Sequence, residues 1–343
     1  MSRRIGIPAG KLFRLGRTTF TIAIPTHDRR ETVVLSALSA LRQSRSPEQV
    51  VVLCDGCTDG TAEAVRALGD ERVVVVELPK APGYAYAHRN RALELARSAV
   101  ILWLADDDLL LPDHLERIGE YWDAGVADIV TTPAAIVHPD DRLEWIGRDW
   151  SIPSIRELML RENTNVMASV SVRAEVVVAV GGWDGDQARA GDWDLWKRVL
   201  ASGARAAMTS EPTVLHFRAT GRDQAWAARV RQNTAWLDEI SDEARLPGLR
   251  RRLRRLGAER DASQIERIRE LERWCVEFEE RRNLLEHNLA EANARQAELA
   301  ERAHELEGRA RHLQAELDHV YAGGWWRLRR RLLPLMRFFG RGE

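Results

Sequence analysis

The stretch Val100-Ile101-Leu102-Trp103-Leu104-Ala105-Asp106-Asp107-Asp108 decides how the chain folds. Its apolar run, rich in branched and aromatic side chains, predicts a strand buried on both faces, as in a parallel sheet. The run stops at three consecutive acids. In an open α/β sheet, ligands gather outside the carboxyl ends of the strands, so this strand delivers its acids to where a ligand would sit. Adjacent carboxylates repel one another unless a cation or several donors offset them. An all-oxygen set suits Mg²⁺ or Mn²⁺ rather than zinc, and such a metal is commonly shared with substrate phosphates. The competing reading is an acidic turn ahead of a helix that starts at Pro112-Asp113.

Upstream, Phe20-Thr21-Ile22-Ala23-Ile24-Pro25, Val50-Val51-Val52-Leu53-Cys54 and residues 73–77 read as three more buried strands. Residues 31–42 place Val34, Leu35, Leu38 and Leu41 on one helical side, and residues 85–97 read as a second helix. Strands alternating with helices imply an α/β fold with a mostly parallel sheet covered on both faces. Behind the second strand comes Asp55-Gly56-Cys57-Thr58-Asp59-Gly60-Thr61. Asp55 at a strand end can accept hydrogen bonds from a nucleobase or ribose, Gly56 and Gly60 permit close backbone approach, and Thr58 with Asp59 can cap the next helix. An ordinary polar turn is the alternative. No Gly-x-Gly-x-x-Gly follows the first strand, which excludes the dinucleotide fingerprint.

These pieces resemble the family 2 glycosyltransferases of the GT-A fold, over roughly residues 19–220. Pro25-Thr26-His27-Asp28-Arg29 is similar to that family's opening segment, and Asp55 to Thr61 to its Asp-Gly-Ser-Thr-Asp-Gly-Thr loop. The second match makes Cys57 a serine substitute rather than half of a Cys54/Cys57 redox pair. Pro82-Gly83 to Arg89-Asn90 resembles the family's run into Ala-Arg-Asn, and Asp106-Asp107-Asp108 its acidic metal motif, with Ala105 where many members carry another acid. Val180-Gly181-Gly182-Trp183-Asp184 and Asp192-Trp193-Asp194-Leu195-Trp196 are similar to its Gly-Gly-Phe-Asp turn and the helix start behind it.

The resemblance implies a nucleotide-sugar donor, a UDP-sugar first, and a glycan or glycoconjugate acceptor. Pro25, Thr26, Arg29, Asp55, Gly56, Arg89, Asn90, Asp106 and Asp107 would line the donor site. Asp55 would read the base, Asp107 would lie near the ribose, and Arg29 and Arg89 would face the phosphates with their forks of donors. Asp106 or Asp108, with His216, would hold Mn²⁺ or Mg²⁺ against the diphosphate. Asp192 occupies the position of the family's catalytic base, although Gly191 replaces the usual preceding Glu. Without the family, Asp192 reads as a helix N-cap and His216 as a structural strand-end histidine.

Beyond residue 222 the composition shifts. The expected division is a basic leader over 1–18, a GT-A domain over 19–222, a helical linker over 223–256, a coiled coil over 257–321 and a basic amphipathic tail over 322–343. Leu246-Pro247-Gly248 reads as a break. Leu271, Phe278, Leu285, Ala292, Leu299, Leu306, Leu313 and Val320 recur at every seventh position, the seam of a coiled coil through which the chain would pair as a homodimer. The tail mixes Trp325, Trp326, Phe338 and Phe339 with arginines, which suits an anionic membrane surface.

Lys and Arg number 51 against 52 Asp and Glu, so no whole-molecule attraction to nucleic acid is expected. Three cysteines form no disulfide framework, and no apolar stretch is long enough to span a bilayer. Taken together, the sequence reads as a cytoplasmic, metal-dependent inverting glycosyltransferase of surface polysaccharide assembly, peripheral on the inner face of the cell membrane. The rival is a catalytically degenerate scaffold acting through its coil and tail, suggested by Ala105 and Gly191.

Overall fold

Alternating burial along the strands builds two cores on one sheet. In β1 (Phe20–Thr26) the side chains of Phe20, Ile22 and Ile24 enter one core and that of Ala23 the other. The chain continues as α1 (Arg30–Leu41), β2 (Gln49–Asp55), α2 (Thr61–Arg66), β3 (Val73–Leu78), α3 (Tyr86–Leu95), β4 (Val100–Trp103), β5 (Leu109–Leu110), α4 (His114–Asp123), β6 (Ile129–Thr131), β7 (Ala134–Val137) and β8 (Leu143–Ile146). There follow α5 (Pro153–Met159), β9 (Val170–Arg173), α6 (Ala174–Ala179), α7 (Gly191–Ala201), β10 (Ala206–Met208), β11 (Val214–Phe217), α8 (Trp226–Ser241), α9 (Leu246–Ala322) and α10 (Gly324–Phe339). This computed structural model describes residues 17–218 and 226–339, without the side chains of 264, 265, 267, 268, 271, 272, 325, 326 and 334–339. Most of the expected leader, the boundary at residue 222, the seam residue Leu271 and the four aromatic tail anchors therefore lie outside the described residues or side chains.

Seven strands form the main sheet in the order β10-β6-β9-β4-β1-β2-β3, parallel except for β9, which runs antiparallel to β4 and β6. The strand order reverses beside β1, with β2 on one side and β4 on the other, which opens a crevice at their carboxyl ends. A second sheet, β5-β11-β7-β8, packs Leu215 and Phe217 against Trp236, Leu237 and Ile240 of α8 and Leu249 and Leu253 of α9.

The chain divides into two compact units, Met1–Ala262 and Ser263–Glu343. Two sequence expectations need correction. The break in the linker falls at residues 242–245, between α8 and α9, and Pro247 and Gly248 lie in the first turn of α9, which continues from there to Ala322. Proline is tolerated there because the first amides of a helix have no intrahelical acceptor. The sequence over residues 166–173 also reads as one strand, yet only Val170–Arg173 is strand, since residues 167–169 form a single tight helical turn. Among the described residues no helix is long and apolar enough to cross a membrane.

Candidate active site

Four strand ends meet at the crevice. β1 delivers Pro25 to Arg29, β2 delivers Asp55, the segment after β3 supplies Lys80 and α3, and β4 delivers the three acids. The antiparallel register Leu215↔Leu109 between β11 and β5 sets His216 beside Asp108. Its Nδ1 lies 3.0 Å from each Asp108 carboxylate oxygen, and the Phe217 backbone N–H donates to Asp108 Oδ1 at 3.1 Å. Asp108 is buried, its backbone carbonyl held by the Ser36 hydroxyl at 2.8 Å.

Asp106 and Asp107 are met by arginines. Arg29 Nη1 lies 3.0 Å from Asp106 Oδ1 and 3.3 Å from Asp107 Oδ2, with its guanidinium carbon 5.1 Å from the Trp226 ring centre. Arg229 of α8 lies 3.5 Å from Asp107, and Asn233, one turn further along α8, donates to the Asp107 carbonyl at 2.7 Å. Burial raises the pKa of Asp106, an effect that Arg29 and the Thr26 hydroxyl only partly offset. Burial, then repulsion from Asp108 and Asp106, pushes Asp107 up to about 7 against the pull of Arg29 and Arg229. Burial works against the Arg29 charge, yet the two carboxylates hold it above the ordinary arginine range. Burial likewise opposes charge on His216, and Asp108 outweighs it and raises the imidazole. These acids are short of positive charge even with two arginines present, which is the condition a bound divalent cation relieves. The donor set of carboxylates and one imidazole fits Mn²⁺ or Mg²⁺. Among the described residues, the group whose ligand atoms all lie within 4.8 Å of one another is instead His27, Asp28 and Cys57, at the exposed mouth of the crevice.

Asp55 is already engaged. Lys80 forms an ion pair with it, the Ala81 N–H donates at 2.7 Å, and His88 Nδ1 lies 3.1 Å away. Burial opposes its charge, but these donors, Lys80 foremost, bring its pKa below the usual carboxylate range. Gly56 has φ +62, and a Cβ there would stand 2.6 Å from Lys80 Cβ. Asp59 does not act as the N-cap of α2, a place taken by Gly60 at φ 82. It accepts from Thr61 N at 3.0 Å and from Arg30 N at 3.1 Å, and so joins the starts of α1 and α2.

The predicted donor residues separate into two groups. Thr26, Arg29, Asp55, Gly56, Asp106 and Asp107 surround the crevice, and Pro25 is a paired residue of β1. Asn90 is turned elsewhere: its side chain donates to the Trp183 carbonyl and accepts from the Trp183 N–H, both at 2.8 Å. It therefore staples α3 to the Gly-Gly-Trp-Asp turn. Arg89 packs against two rings, 4.6 Å from the centre of Tyr86 and 4.7 Å from that of Trp183, with its Nε buried and unbonded. Burial lowers its pKa, and Tyr86, Asp192 and Asp106 support its charge.

Asp192 is the second residue of α7 rather than its N-cap, which is Ala190 at φ 52. Its carboxylate accepts from Asn163 Nδ2 at 3.1 Å. A Cβ on Gly191 would fall 2.8 Å from three Tyr86 ring atoms. The missing side chain thus makes room for a ring that packs on Arg89. Sequence reasoning missed Arg229, Asn233, Lys80, His88, Tyr86 and Asn163; only the four-residue spacing of Arg229 and Asn233, which puts both on one helix face, could have drawn attention.

An acid-ended strand at the reversal point of a parallel sheet, with a carboxylate at a nearby helix start, is the layout of a nucleotide-dependent transferase. The description "Glycosyltransferase like family 2" matches residues 17–239, and the chain belongs to that family, with its GT-A fold followed by a long helix. It is 34% identical to succinoglycan biosynthesis protein ExoO of Rhizobium meliloti over 122 residues, 36% of this chain and 35% of that one. It is 30% identical to succinoglycan biosynthesis protein ExoU of the same organism over 214 residues, 55% of this chain and 58% of that one. The chain thus spans between about a third and three fifths of these relatives. The crystal structure of S. aureus TarS 1–349 in complex with UDP-GlcNAc superposes with a TM-score of 0.48 at 18% identity, covering 65% of this chain and 70% of that one.

Proposed function

We propose that the chain transfers a sugar, with inversion, from a nucleoside diphosphate donor to a hydroxyl of a glycan or glycoconjugate acceptor during surface polysaccharide assembly. The observation that carries this reading is the set of three acids at the end of β4, the last of them met by His216, with Asp106 and Asp192 both supporting the charge of Arg89. Membership of the family supports the reaction class, and the relatives' part in succinoglycan biosynthesis supports the polysaccharide context. UDP is the first donor to test.

In this reaction the acceptor hydroxyl attacks the anomeric carbon, Asp192 takes its proton, and the bond to the diphosphate breaks on the opposite face. Asn163 orients the Asp192 carboxylate. Arg29 and Arg89 would meet the phosphates, and Asp55 would receive the base once Lys80 yields. Asp106, Asp108 and His216 would hold Mn²⁺ or Mg²⁺, which supplies charge neutralisation of the departing diphosphate. A cavity of about 210 Å³ that includes Trp145, Arg148, Glu162, Asn163 and Thr164 adjoins Asp192 through Asn163, a fitting place for an acceptor sugar. The packing of Tyr86 on Gly191 supplies a structural reason for that substitution, which weakens the scaffold alternative. The arginines of α10 favour contact with an anionic membrane on the inner face of the cell envelope.

Calorimetric titration of UDP, GDP, CDP and dTDP with and without Mn²⁺ tests the proposal. Metal-dependent binding of one nucleotide, lost in Asp55→Ala and Asp108→Asn, is the expected result. No binding of any nucleotide by folded protein would overturn it.

A further inference from the structure

The second unit leaves an apolar seam uncovered. In α9 the side chains of Phe278, Leu285, Leu299, Leu306, Leu313 and Val320 recur on one face and are between 58 and 72% exposed. So long a row of exposed large apolar residues calls for a partner. We propose that this partner is a second copy of the chain, wound as a parallel, in-register, two-stranded coiled coil.

Charge flanking the seam selects both partner and direction. If the seam is position d, position a holds Cys275, Arg282, Leu289, Gln296, Ala303, Ala310 and Leu317. Position g then holds Arg281, Arg295, Arg302, Arg309 and Glu316, while position e holds Glu279, Glu286 and Glu307. In a parallel pair each g residue faces the partner's e residue of the next heptad. Arg281 meets the partner's Glu286, and Arg302 meets the partner's Glu307, each twice by symmetry. From Trp274 to Tyr321 no such pair joins like charges. A fully overlapped antiparallel pair would instead set g against g and e against e: Arg295 on the partner's Arg302 and Glu286 on the partner's Glu307, against one favourable contact, Arg281 on the partner's Glu316. The parallel pair is therefore the arrangement with attractive flanking contacts and no like-charged ones.

The polar layers agree with that arrangement. Gln296 would face the partner's Gln296, where two amides can bond each other, and a single polar a layer fixes register at some cost in stability. Arg282 would face the partner's Arg282, but each brings a counter-ion, since Glu286 of its own chain lies 3.7 Å away. This inference rests on the second unit alone and stands whether or not the first unit transfers sugar.

Cys275 provides the test. It is exposed, and in register it shares an a layer with the partner's Cys275. In a fully overlapped antiparallel pair the two thiols would be separated by on the order of 60 Å. The full chain carrying Cys57→Ser, which leaves Cys275 as the accessible thiol, should sediment at twice its monomer mass. Oxidation with copper phenanthroline and oxygen should then join the two thiols, giving up two protons and two electrons to the oxidant, and yield a covalent dimer absent from Cys275→Ser. Leu299→Arg should give a monomer that retains nucleotide binding. Arg281→Glu should weaken the dimer roughly tenfold, and Arg281→Glu with Glu286→Arg should restore it. A monomeric or trimeric parent chain, or a dimer that does not crosslink through Cys275, would overturn the proposal.

Discussion

Asp107 is the residue on which acidity and binding meet. With its carboxyl pushed up to about 7, the folded chain keeps a proton there that the unfolded chain releases near pH 4. At this group, stability of the ligand-free protein falls as pH rises from about 4 to 7 and levels off above. His216 runs in the same direction over a higher range: the stability it gains from Asp108 is full below its unfolded value and fades as pH rises through its raised pKa. A divalent cation competes with the Asp107 proton, so Mn²⁺ affinity should climb between pH 6 and 8, as titration across that range will read; a flat profile counts against the site. Asp192→Asn should lower kcat by about 10²- to 10⁴-fold while leaving nucleotide binding intact, which separates the base from the donor site. Gly191→Ala would stabilise most helices, yet here its Cβ meets the Tyr86 ring. It should cost about 1–3 kcal/mol, seen as a lowered urea midpoint.

Among the elements, α8 bears on the site through three of its residues. It covers the acids with Arg229 and Asn233, and Trp226 lies by Arg29. Asn233→Ala should cost about 1–2 kcal/mol by thermal melting and weaken metal-dependent nucleotide binding in step. Arg229→Gln withdraws a cation from Asp107, so the pH dependence of Mn²⁺ binding should move to higher pH. This role was not legible in the sequence. The strands and acids were, because a run such as residues 100–108 states both its burial and its end. Arg229 and Asn233, in contrast, read as ordinary polar positions on a helix. Asn90 shows the reverse: the motif marked it as important, while its hydrogen bonds give its work to the Trp183 turn. Side-chain direction is set by packing partners distant in sequence, so residue type and spacing alone could not separate a ligand residue from a staple.

At the scale of the whole chain, the site is closed by distant pieces. His216 reaches Asp108 across 108 positions, and Asn233 reaches Asp107 across 126. Donor and metal, binding only the assembled form, should therefore slow amide hydrogen exchange in α8 as well as at the strand ends. Unchanged exchange in α8 on saturation with nucleotide and Mn²⁺ would show that the helix and the acids are not coupled. The late position of α8 has a consequence for how the protein is made. Synthesis runs from the N-terminus, so the acids emerge long before the arginine and asparagine that cover them. A chain still being extended, or cut short before Trp226, holds its carboxylates without Arg229 and cannot present a finished donor pocket. On the proposed function, competence to bind nucleotide would arrive only as the first unit is completed, which would keep unfinished chains from sequestering activated sugar.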